Sequence, residues 1–116
     1  MSAVTEDEFR RAALSLPETA EGAHMDHPDF RVGGKIFASI PRAGEGRGMV
    51  KVTPSQQAAL VRDKPDVFQP ANGAWGRQGC TYVRLGATTL RAVRPALRDA
   101  WRNTAPKRLS ARLGDD

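Results

Sequence analysis

The stretch Phe30-Arg31-Val32-Gly33-Gly34-Lys35-Ile36-Phe37-Ala38-Ser39-Ile40 decides the fold. Two strand-like runs flank a Gly-Gly pair, and a type I′ turn needs φ > 0 at both central residues, which glycine adopts without steric cost. The stretch is predicted to be a β-hairpin. Downstream, the glycine-rich loop Arg42-Ala43-Gly44-Glu45-Gly46-Arg47-Gly48 leads to a third strand, Met49 to Val52. Thr53-Pro54-Ser55-Gln56 then reads as an N-cap, a proline at the first helical position and a capping-box glutamine. That helix should run to about Arg62 and bury Ala58, Ala59 and either Leu60 or Val61, with Pro65 marking its end. Val67-Phe68 is a short strand and Thr81 to Leu85 a clearer one, separated by a loop from Pro70 to Gly79 that carries Trp75 and Arg77.

Upstream of the hairpin, Thr5 and Glu8 have capping-box spacing, and Phe9, Ala12, Ala13 and Leu16 form the apolar face of a helix stopped by Pro17. The last helix is capped by Thr88 or Thr89 and runs to about Asn103, with Leu90, Val93, Leu97 and Trp101 as its buried stripe. Pro95 in its second turn predicts a kink or a later start. Pro106 ends this region, and Leu109 to Asp116 is expected to be a frayed tail. The order is α-β-β-β-α-β-β-α. Hairpin-linked strands with segregated helices give an α+β fold, an antiparallel sheet with helices packed against it.

The chain has 116 residues, one domain's worth, and 27% of them are charged, which is ordinary for a globular protein. A single cysteine, Cys80, excludes an internal disulfide and a cysteine-based zinc cluster. No apolar run approaches the roughly 18 residues of a membrane span, and the N-terminal region is acidic rather than signal-like, so the expected compartment is the cytoplasm.

Three segments carry a family resemblance: His24-Met25-Asp26-His27-Pro28-Asp29-Phe30-Arg31-Val32-Gly33-Gly34-Lys35-Ile36-Phe37-Ala38, then Pro65-Asp66-Val67-Phe68, then Ala100-Trp101-Arg102-Asn103-Thr104-Ala105-Pro106-Lys107-Arg108-Leu109. Together they resemble the MmcQ/YjbR family of small bacterial proteins, over nearly the whole chain from about Phe9 to Leu109. The resemblance implies a CyaY-like α+β fold, also described as a double wing. It implies no catalytic residues, and the DNA binding suggested for the family rests on its fold. Fold alone does not fix function.

Charge is unevenly distributed. Residues 1–30 hold two Arg against seven acids, whereas residues 31–116 hold all the other basic residues; of 18 in the chain, 14 are Arg. The planar guanidinium fork suits phosphate, although an Arg excess also follows from the codon usage of a GC-rich genome. Arg91, Arg94, Arg98 and Arg102 recur at spacings of three, four and four, so they share one face of the last helix, beside its apolar stripe. Arg42 and Arg47 in one glycine-rich loop, Arg77 in the other, and Lys107 with Arg108 could join that ridge around one anion. Trp75 could stack on a base or tuck back onto the core. The bland alternative for the ridge is a solvated face whose long side chains lie over apolar neighbours.

Other chemistry finds less support. His24 and His27, with Asp26 and Asp29, have metal-ligand character, but the spacing does not set both rings on one helical face, and turn and cap roles are expected instead. The acidic Glu6, Asp7 and Glu8 suit the first turn of a helix, and Arg10 and Arg11 interrupt any acidic ridge of the iron-handling kind. Cys80 has no histidine partner in sequence, and no phosphate loop, nucleophile elbow or dinucleotide fingerprint occurs. The expectation is a monomeric binding protein, not an enzyme, with no metal and no cofactor. Its leading function is weak, largely sequence-independent DNA binding through Arg–phosphate contacts. The alternative is a protein–protein adaptor in which the acidic first segment and basic remainder attract a partner.

Overall fold

A computed structural model describes residues 3–24 and 27–113, with the side chains of His24 and Leu113 outside the description. Six strands form one antiparallel sheet in the order β1-β2-β3-β4-β6-β5: β1 is Ala20–His24, β2 His27–Val32, β3 Lys35–Ser39, β4 Arg47–Lys51, β5 Phe68–Pro70 and β6 Cys80–Arg84. The helices are α1 (Glu6–Leu14), α2 (Pro54–Asp63), α3 (Gly73–Arg77), α4 (Leu90–Thr104) and α5 (Lys107–Ser110). The α+β class expected from the sequence is the one observed. Three helices start where cap chemistry placed them. Thr5 and Thr53 form complete capping boxes with Glu8 and Gln56, and Thr89 accepts from the Ala92 amide. The hairpin turns at Gly33 and Gly34, with φ of 59° and 80°.

Register sorts the side chains onto two faces. The pairs Phe30–Ala38, Ala38–Val50, Val50–Thr81 and Gly48–Val83–Phe68 point to one side, where α1 and α4 lie side by side. The core sits there: Phe9, Phe30, Phe37, Val50, Val83, Leu97 and Trp101 are all fully buried. Phe9 meets Phe30 edge to face at 6.3 Å, and the Trp101 indole N–H donates to the Pro17 carbonyl at 3.0 Å, tying α4 to the turn after α1. A bulge in the β2–β3 pairing near Phe30 and Arg31 lets both Phe37 and Ala38 be buried.

Four expectations need correction. The element order gains β1, α3 and α5. Ala20-Glu21-Gly22-Ala23-His24 has no Val, Ile, Thr, Phe, Tyr or Trp, so only its pairing with β2 makes it a strand. No residue of α2 is buried: Ala58 is exposed, while Ala59, Leu60 and Val61 are half-buried, because α2 borders the sheet at β5 rather than crossing it. Helix α4 runs continuously through Pro95, whose ring is on the exposed side, so the missing N–H falls where the Arg91 carbonyl can meet water. Finally, the chain does not fray at Leu109. That residue is only 2% exposed and belongs to the core, while residues 114–116 lie outside the description.

Candidate functional site

The acids of the first helix are already engaged. Both Glu6 carboxylate oxygens accept from the Gly44 amide at 3.0 Å, and one accepts from the Gly46 amide at 2.7 Å. The glycine-rich loop is thus an anion cradle filled by the chain's own carboxylate. Glu8 completes the capping box, Asp7 pairs with Arg10 and Arg11, and Glu21 pairs with Arg10. Glu18 faces Arg112 at 2.9 Å and Arg108 at 4.0 Å.

The Arg row of α4 occupies the helical layer. Arg91 and Arg94 are exposed, while Arg98 and Arg102 are half-buried. Arg94 and Arg98 line a groove of about 200 Å³ with Ala12, Ser15 and Leu16, so the row follows the seam between α1 and α4. Arg91, Arg94 and Arg98 form no ion pair with any described residue. Lys107 and Arg108 are exposed at the start of α5, beyond the C-terminal end of the row. Arg42 pairs with Glu45 at 3.4 Å in the loop that Glu6 holds.

Arg47 and Trp75 belong to a different surface. The ladder Asp29–Ser39–Met49–Tyr82–Gln69 crosses five strands on the side of the sheet away from α1 and α4. Alternation adds Arg47 and Lys51 from β4, and Cys80 and Arg84 from β6. The Arg47 guanidinium lies 4.7 Å from the centre of the Tyr82 ring, a cation–π contact. Trp75 stands in α3 at 67% exposure, the one large apolar side chain so exposed among the described residues. With Ser39, Met49, Ala71, Cys80 and Tyr82 it lines a groove of about 270 Å³. Arg77, also exposed, ends the same helix. The structure therefore separates the nine cations picked out from sequence: Arg91, Arg94, Arg98 and Arg102 on α4, Lys107 and Arg108 on α5, Arg42 in the glycine-rich loop, Arg47 on the open sheet face and Arg77 at the end of α3.

Toward the outer edge of this open face, Asp29 is 2% exposed and takes a bidentate pair from Arg31, at 2.8 and 3.1 Å. That hydrogen bond and charge hold the Arg31 guanidinium above its ordinary pKa. Cys80 is buried, and burial pushes its thiol above the usual range, with the Lys51 charge acting the other way. A thiol so held stays protonated at neutral pH and is a poor nucleophile. His27 opens β2 opposite His24 in register, and its Nδ1 is buried without a partner among the described residues. The His24 side chain and all of Asp26 lie outside the description, and no group of three or more potential metal-ligating side chains occurs among the described residues.

A YjbR family model matches residues 14–103. The chain belongs to the YjbR family. Its fold is similar to the crystal structure of DR2400 from Deinococcus radiodurans, a DUF419-domain protein, with a TM-score of 0.76 at 20% sequence identity over 97% of this chain and 89% of that one. No curated protein matches it. In this YjbR domain, sequence reading missed Lys51, Tyr82 and Arg84 as surface candidates. A period-two reading of Arg47-Gly48-Met49-Val50-Lys51 and Thr81-Tyr82-Val83-Arg84 carries the signal, since each run alternates buried with less buried residues.

Proposed function

We propose that this YjbR protein binds nucleic acid weakly and largely without sequence preference, through Arg–phosphate contacts. The observation that carries the reading is the row Arg91, Arg94 and Arg98, which has no acidic partner among the described residues and runs along one helix of a chain with a net charge of +5. Solvated guanidinium groups spaced along a helix can follow a phosphate backbone, and phosphate contacts position a ligand without reading its bases. The row Arg91, Arg94, Arg98 and Arg102 is the ridge of this reading, with Lys107 and Arg108 extending it.

The adaptor alternative needs the acidic first segment to be available to a partner. Glu6, Asp7, Glu8, Glu18, Glu21 and Asp29 all have partners within the chain, which favours the nucleic-acid reading. No helix among the described residues is long and apolar enough to cross a membrane. We read the protein as a cytoplasmic binding protein with no cofactor and no catalytic residue of its own.

The test is fluorescence anisotropy of a labelled random duplex at several salt concentrations. Binding should weaken with salt at a log–log slope of roughly −3 to −5, the signature of about four to six phosphate contacts. Arg94→Ala with Arg98→Ala should weaken it for every sequence and flatten the slope by about 2. Absence of binding to duplex and single strand at low salt, at tens of micromolar protein or so, would overturn the reading.

A further inference from the structure

The sheet face turned away from α1 and α4 combines two features that the α4 ridge lacks. One is an exposed aromatic ring, Trp75, with the half-buried Tyr82 ring across a groove of about 270 Å³. The other is cations standing on strands: Arg47, Lys51 and Arg84, all exposed, with no ion pair to any described residue. Register places them on both sides of Tyr82. Lys51 pairs with Cys80 at one end of the Met49–Tyr82 rung, and Arg47 pairs with Arg84 at the other. Of the nearby acids, Asp29 is taken by Arg31 and Glu45 by Arg42, leaving Asp66 at the rim beside Arg47 and Arg84.

We propose that this open face is a binding surface for single-stranded nucleic acid, with bases stacking on Trp75 and Tyr82 and phosphates held by Arg47, Lys51 and Arg84. The inference rests on the nucleic-acid reading above for its ligand class, and adds strand state and location. Base faces are hidden inside a duplex and available in a single strand, so aromatic side chains on a cationic surface select the unpaired form. The Arg47 guanidinium already lies against the Tyr82 ring, and a base can extend that stack. Strands β4 and β6 pair in unbroken register from Arg47–Arg84 to Lys51–Cys80, which fixes the spacing of these cations.

Trp75 supplies its own readout. The chain's other tryptophan, Trp101, is fully buried with its indole N–H bonded, so a ligand stacking on the open face changes the emission of Trp75. Titration with an oligothymidylate of about a dozen nucleotides should quench that emission, and a duplex of the same length should not. Trp75→Ala should weaken single-strand binding roughly tenfold or more, and Trp75→Phe should retain binding while abolishing the quenching. Lys51→Ala with Arg84→Ala should reduce the single-strand salt slope by about 1.4, and leave duplex binding unchanged. Single-strand binding that is insensitive to Trp75→Ala, or lost with Arg94→Ala and Arg98→Ala, would overturn the inference and leave the nucleic-acid reading standing. No binding of either form at low salt overturns both.

Discussion

Glu6 shows how a single side chain decides what a loop can do. A run of glycines with free amides invites an anion, and the segment from Gly44 to Gly46 does bind one, supplied by α1 of the same chain. The carboxylate thereby links the N-terminus of α1 to the connection between β3 and β4. Hydrogen bonds to a charged acceptor contribute about 1.5–3 kcal/mol each when buried, and less at this half-exposed position. Glu6→Ala should therefore lower stability by about 1–2 kcal/mol, read as a drop in urea midpoint at unchanged slope. Faster amide exchange at Gly44 and Gly46 should accompany it. A variant with wild-type midpoint and exchange would show that the cradle contributes nothing.

The packing of α1 on the sheet turns on one close approach between elements. A Cβ built at Gly48 of β4 would sit 2.8 Å from Cζ of Phe9, so the ring fills the space that any other residue would need. Phe9→Ala should cost about 3–5 kcal/mol through the cavity it leaves, and Gly48→Ala about 1–3 kcal/mol through overpacking. Combined, they should cost less than their sum by about 1–2 kcal/mol, because the added methyl then enters vacated space. Strict additivity in chemical denaturation would mean that the backbone moves rather than the ring. The elements around this contact were readable to the extent that their signals were local. Thr5, Thr53 and Thr89 announce three helix starts, and Gly33-Gly34 announces the hairpin, because caps and turns depend on neighbours in sequence. Strand β1 was unreadable because Ala20–His24 owes its extended form to β2 alone. The short α3 was hidden because two of its five residues, Gly73 and Gly76, are glycines, which lower helical propensity. The α4 row was visible from helical period, but the open face was not. It depends on β4 pairing with β6 across two intervening helices and a strand, a neighbour relation that sequence order does not contain.

At the scale of the whole molecule, the sheet and its core stand between the two cationic surfaces. The α4 ridge lies in the helical layer, Arg47, Lys51 and Arg84 face the other way, and the shortest dimension of the molecule is 29 Å. At physiological ionic strength the screening length is about 8 Å, so charge placed on one surface is scarcely felt at the other. Geometry acts in the same direction. DNA has a persistence length of about 150 base pairs, so a short duplex is a straight rod that cannot bend around so small a protein, and it engages one surface at a time. Duplex on α4 and single strand on the sheet should therefore bind together. A labelled duplex bound at half-saturation should keep its anisotropy, and its apparent Kd should change by less than about twofold, when unlabelled oligothymidylate is added to saturation. The complex of all three should also run as one species of greater mass in sedimentation. Full displacement of the duplex by the single strand would mean instead that one surface serves both forms. The Arg94→Ala and Arg98→Ala variant, set against Trp75→Ala, then identifies which surface it is.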